Sequence, residues 1–159
     1  MAAEAPILDE LHRLRARIPQ LTGSLAASVD GLVVAADAPD TEPDGVAALT
    51  AAALGVAVRL ADATGRGDLR ELLVRGHGGY VATYAAGQGA VLTLLAKDDV
   101  SVGRLHLEGR RAAARIGELV DGAAEETKSR TPARAPAARA KAPRDRRTAS
   151  TQPRTSAES

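Results

Sequence analysis

Cysteine, phenylalanine and tryptophan are absent from the 159 residues, and only two tyrosines, one methionine and three histidines occur. Without thiols there is neither a disulfide framework nor a thiolate metal site. Without large aromatics a core must be filled by Ala, Val, Leu and Ile, which bury less area each, so helices must lie close to the sheet they cover. The Gly-x-x-x-x-Gly-Lys-[Ser/Thr] phosphate loop is missing, and no serine, histidine and aspartate make a recognisable nucleophile motif. No apolar leader precedes the first charged helix, so the expected location is cytoplasmic.

The net charge of +1 conceals two opposed regions. From Thr127 to Ser159 nine Lys or Arg face two acids, with prolines at 132, 136, 143 and 153 and almost no large apolar side chain. Such a segment lacks the apolar surface to offset its ordering entropy, which predicts a disordered basic tail over 127–159. Residues 1–126 form the expected domain; they carry twelve basic and eighteen acidic groups, so a domain at −6 precedes a tail at +7. Arg134, Arg139, Lys141, Arg144, Arg146 and Arg147 have no aromatic neighbour on which a base would stack, so reading of a nucleic-acid sequence is not expected. The tail is read as solvated, improving solubility, or as folded back weakly on its acidic domain. Its alternative role is that of a nucleic-acid or anionic-membrane adaptor, through weak, salt-sensitive contact with a polyanion or a membrane surface.

Within the domain, Ile7, Leu8, Leu11, Leu14 and Ile18 recur at helical spacing and stop at Pro19. Leu25, Ala27 and Val29 alternate toward Asp30-Gly31, and an apolar run resumes over 32–36; this predicts two strands joined by a tight Asp-Gly hairpin turn. Runs over 69–75, 80–86 and 90–96, parted by glycine turns, predict a three-strand meander. Val102, Leu105, Gly109, Ala112, Ile116, Leu119 and Ala123 form one stripe of a final helix. Each interior glycine there costs about 1 kcal/mol relative to alanine, and Gly109, on the packed stripe, lets the helix settle close to the sheet.

The segment 46–61, VAALTAAALGVAVRLA, is apolar nearly all round, with Thr50 and Arg59 its only polar side chains. Val46, Leu49, Ala53, Val56 and Leu60 mark one face of this helix; Ala47, Ala51, Leu54 and Val58 mark another. The chain's own fold supplies one cover, and a second subunit or partner is expected as the other. Thr41 and Asp44 stand in a capping-box-like relation, and Gly65 offers a left-handed stop. Sixteen residues fall short of the roughly 20 that a membrane span needs, and Arg59 would lie in hydrocarbon, so a span is not expected.

The element order is α-β-β-α-β-β-β-α, an α+β, sandwich-like fold with a five-stranded antiparallel sheet. Reactive chemistry is sparse. His12, His77 and His106 have no partner at metal-ligand spacing and read as solvated or capping residues. Gly65-Arg66-Gly67 and Gly76-His77-Gly78-Gly79 read as turns, and Asp98-Asp99 as carboxylates complementing the positive start of the final helix. No catalytic, cofactor or metal residue is expected, and the chain is read as a non-enzyme.

The segment Pro19-Gln20-Leu21-Thr22-Gly23-Ser24-Leu25-Ala26-Ala27-Ser28-Val29-Asp30-Gly31-Leu32 resembles the hairpin signature of the roadblock family, which includes dynein light chains of the roadblock type and bacterial regulators of small GTPases. The likeness extends over roughly 7–121. It rests also on the alanine-rich second helix and on Gly78-Gly79-Tyr80; Gln20 departs from a frequent glycine in a loop. The resemblance implies a roadblock/profilin-like fold and a homodimer built on the second helix and an edge strand. Here that interface would engage Leu49, Leu54, Val58, Leu69 and Leu73. It also implies a small GTPase as partner in signalling, with this chain as its non-catalytic regulator or scaffold.

Overall fold

The apolar spacing at Ile7, Leu11 and Leu14 becomes α1 (Glu4–Arg17) in a computed structural model that describes residues 3–130. Pro19 ends it by holding Ile18 extended, at φ −125° and ψ 91°. Then follow β1 (Leu21–Ser28), β2 (Val33–Asp37), α2 (Pro43–Ala63), β3 (Glu71–Gly76), β4 (Gly79–Ala86), β5 (Ala90–Ala96) and α3 (Val102–Arg130). The sheet is antiparallel throughout, in the order β2-β1-β5-β4-β3. Pairing of β5 with β1 joins hairpin and meander into one five-stranded sheet and leaves β2 and β3 as its edges.

Helices α1 and α3 lie side by side on one face. Ile7, Leu11, Leu14, Ala82, Tyr84, Leu92, Leu94, Leu105 and Ile116 meet there in one buried cluster. The expected close approach at Gly109 is present, because a Cβ at that position would run into the Tyr84 ring. The one fully buried aromatic of this core thus occupies the space that a side chain on α3 would need. Helix α2 crosses the other face on a thinner cluster of Leu25, Ala27, Ala47 and Val91, flanked by Val33, Ala36, Val46 and Leu54.

Four local expectations are corrected. The β1–β2 connection is a four-residue loop, 29–32, rather than a two-residue turn: Ser28 N–H donates to Leu32 O and Gly31 N–H to Ser28 O, while Ser28 Oγ accepts from Leu32 N–H. Gly31, at φ 86°, rests on the α2 backbone at Ala47 and Ala48, and this contact sets the loop's shape. The α2 cap is Glu42 rather than Thr41: its carboxylate accepts from Asp44 N–H at 3.1 Å and Gly45 N–H at 2.6 Å, a role open to it because Pro43 offers no N–H. Helix α2 has 21 residues, so by length and composition alone it is the one described helix capable of crossing a membrane, and the argument from shortness does not stand. Residues 127–130 continue α3 instead of opening the tail; the expected disorder of the remainder lies outside the described residues. The anticipated stop at Gly65 is present, with φ 65° and Arg66 N–H donating to Ala61 O.

Candidate interaction surface

Helix α2 is seated by a narrow strip. Ala47 and Thr50 are buried against the sheet, Val46, Ala51, Ala53 and Leu54 are half-buried, and the side turned away carries Leu49, Val56 and Leu60 at 73 %, 68 % and 64 % exposure. Positions 49, 56 and 60 share one helical stripe. The apolar character all round the helix thus resolves into a seat of small side chains and an uncovered ridge of large ones. Contiguous exposed apolar surface on this scale marks an interface more often than it marks solvent-facing filler.

Beside α2 the sheet is also uncovered among the described residues. A groove of about 220 Å³ runs between Val46, Leu49, Thr50 and Ala53 on the helix and Leu72, Val74, Val81, Thr83 and Leu95 on the strands. Its outer wall is β3, whose far side pairs with no other described strand. Under the second half of α2 a cleft of about 320 Å³ is lined by Leu54, Val58, Leu69, Val29 and Val91, among others. Leu54, Val58 and Leu69 therefore line one cleft, and Leu49 stands in the neighbouring groove. Leu73 is placed differently: it pairs with Ala82, which pairs with Leu94, both in the α1/α3 core, so its side chain belongs to the opposite face of β3. Leu72 and Val74 are the β3 residues on the α2 side, a consequence of the two-residue period of a strand.

On that opposite face β3 is fastened to α3 by a polar cluster. Arg110 Nε and Nη2 donate to Glu71 Oε2 and Oε1 at 2.7 and 2.5 Å, and the Tyr84 hydroxyl lies 3.0 Å from His106 Nδ1, which is itself 3.7 Å from Glu71. The hydrogen bonds from Arg110, and then the nearby His106, hold the Glu71 carboxyl below its ordinary pKa against the opposing effect of burial. Burial, and then the Glu71 carboxylate, push the Tyr84 hydroxyl well above its usual range. The tyrosine therefore stays protonated, and the cluster locates the edge strand rather than activating a nucleophile. His106 is neither the solvated nor the capping residue expected. Its partners lie 22 and 35 positions away in sequence, where no local pattern signals them.

A second cluster joins α1 to α3. Buried Glu10 accepts from Arg17 at 2.9 Å and from Arg13 and Arg115 at 3.4 Å, while Arg17 Nε lies 2.7 Å from Glu108. Burial alone would raise the Glu10 carboxyl, but these three arginines hold it below the ordinary value. Asp98 and Asp99 are exposed, and no group of three His, Cys, Asp or Glu side chains among the described residues is arranged to hold a metal.

Comparison with known proteins agrees with this architecture. Residues 7–96, more than half the chain, match the Roadblock/LC7 domain family. The Methanocaldococcus jannaschii protein MJ1340 is 33 % identical over 97 residues, covering 60 % of this chain and 84 % of the relative. An MglB structure with a tetrameric arrangement superposes with a TM-score of 0.72 at 23 % identity, covering 77 % of this chain and 93 % of the other. The gliding protein MglB of Thermus thermophilus gives 0.70 at 22 %, with the same two coverages. At those identities the structural matches speak for the fold, and the match over 7–96 speaks for descent: this chain belongs to the Roadblock/LC7 domain family.

Proposed function

We propose that this protein is a dimeric, non-catalytic regulator or scaffold of a small GTPase. One observation carries the reading: the α2 ridge of Leu49, Val56 and Leu60, beside an uncovered groove and an unpaired edge strand. A second copy answers two of these needs together. Its β3 continues the sheet across the edge, as the family resemblance implies, and its α2 fills the groove over Leu72, Val74, Val81 and Leu95. The two α2 ridges then stand next to each other as one broader apolar surface, which is the docking site proposed for the GTPase. Regulation follows from thermodynamics: a surface that binds one switch state better shifts the partner toward that state, by no more than the difference in affinity.

Calorimetry with a cognate small GTPase in its GTP-like and GDP-bound forms, at fixed salt, is the test. Tighter binding of one form supports a regulator, and equal binding reduces the proposal to a scaffold. Absence of binding to either form, or GTP hydrolysis by this chain alone, overturns it.

A further inference from the structure

We infer that α3 carries a second self-association surface, on which two copies pack their final helices antiparallel. The outward side of α3 presents Arg104, Leu107, Arg111, Ala114, Arg115, Glu118, Gly122 and Glu125. All are exposed, and Leu107 is the one large apolar side chain among them, at 49 %. Their spacing is symmetric: steps of three, four and three residues lead up to Ala114, and the same steps lead away from Arg115. The chemistry is complementary under the same symmetry. A two-fold axis through the midpoint between Ala114 and Arg115 sets Arg104 against Glu125 of the second copy, Arg111 against Glu118, and Leu107 against Gly122.

Three features argue for a second copy as the occupant. Arg104, Glu118 and Glu125 have no ion-pair partner among the described residues, and Arg111 makes only a 3.6 Å contact with Glu108 while its own side chain stays 63 % exposed. Gly122 has open space where a side chain would be, so it leaves a hollow opposite the protruding Leu107. The outward stripe is also divided by charge: Arg104, Arg111 and Arg115 occupy its first half, and Glu118 and Glu125 its second. An antiparallel pair sets each half against the opposite charge. The surface is isologous and lies on the face opposite α2, so it forms independently of the α2 and β3 contacts and is compatible with them.

The cysteine-free chain permits a direct test, because Ala114→Cys places one thiol next to the axis in the otherwise intact protein. Under mild oxidation this variant is expected to give a disulfide-linked dimer, while Ala16→Cys, an exposed alanine on α1 away from the stripe, gives none. Cross-linking is lost when Arg104→Glu and Arg111→Glu are added. It returns when Glu118→Arg and Glu125→Arg are added as well, and circular dichroism confirms that each variant is folded. It also weakens in about 1 M salt, where charges are screened beyond roughly 3 Å. Equal cross-linking by the two cysteine variants overturns the inference. So does a linked dimer that survives the two-residue reversal, or one that the four-residue swap fails to restore.

Discussion

The two faces of the sheet differ in completeness. Under α1 and α3, leucines, isoleucines and Tyr84 interlock with the strands, and glycines at 109 and 117 bring α3 down against Tyr84 and the β4–β5 turn. Under α2 the buried apolar cluster is limited to Leu25, Ala27, Ala47 and Val91, and Leu49, Val56 and Leu60 of the helix point outward. Both faces draw on Ala, Val and Leu, and the isoleucines lie only on the first. Hydrophobicity therefore does not distinguish a finished core from an unfinished one; what distinguishes them is where the large side chains fall on each helix. The first face is closed by α1 and α3, and the second is left open among the described residues.

Substitutions break this contrast in graded ways. Ile116→Ala or Leu11→Ala, in the closed core, is expected to destabilise folding by about 2–5 kcal/mol, through lost transfer energy and a residual cavity. Urea denaturation checks this, and the loss should be the same at every protein concentration. Leu49→Glu, on the open face, is expected to leave the protomer folded but monomeric by light scattering, since a carboxylate buried against a partner costs several kcal/mol. If Leu49→Glu unfolds the chain and Ile116→Ala only dissociates it, the two faces have been assigned the wrong way round.

Acid sharpens the comparison further. The folded pKa of Glu10 and of Glu71 lies below the ordinary 4.5, so the stability each contributes is fully present above that pH and is lost as pH falls through the depressed value. Both carboxylates lie on the closed face. Glu10→Gln, with a cost of about 1–3 kcal/mol for a buried charged hydrogen-bond partner, should reduce the acid sensitivity of the melting temperature. Deletion after Arg130 is the smallest change, expected to move the melting temperature by less than about 2 °C, given that 1 kcal/mol corresponds to several degrees in a domain of this size. A larger drop would show that residues 131–159 pack on the domain.

Much of this architecture is legible in the residues because it is local. The alternation at Leu25 and Ala27, the glycine turns of the meander and the seven-residue stripe of α3 each state their element within a short window. What escaped is what depends on distant or competing contacts. The β1–β2 loop is longer than its Asp-Gly pair suggests because Gly31 rests on α2, a helix that begins twelve residues later. Glu42 displaced Thr41 as cap because a proline follows it. Of the proposed interface residues, Leu49, Leu54, Val58 and Leu69 fall on the groove and cleft of the α2 side, whereas Leu73 lies on the opposite face of β3 from Leu72 and Val74. The cluster of Glu71, Tyr84, His106 and Arg110 had no signature at all, since it draws on three elements.

Seating α2 by its first half has a kinetic consequence. Ala47 and Thr50 are buried and Gly31 grips the backbone nearby, whereas positions 58 to 60 are exposed and 62 to 68 are exposed without interruption. Local opening should therefore become progressively easier along the helix, and amide hydrogens should exchange slowly near Thr50 and fast near Leu60 in an isolated protomer. Association would erase that gradient. The exchange profile of this single helix then acts as a built-in gauge of occupancy, readable amide by amide without any label on the partner.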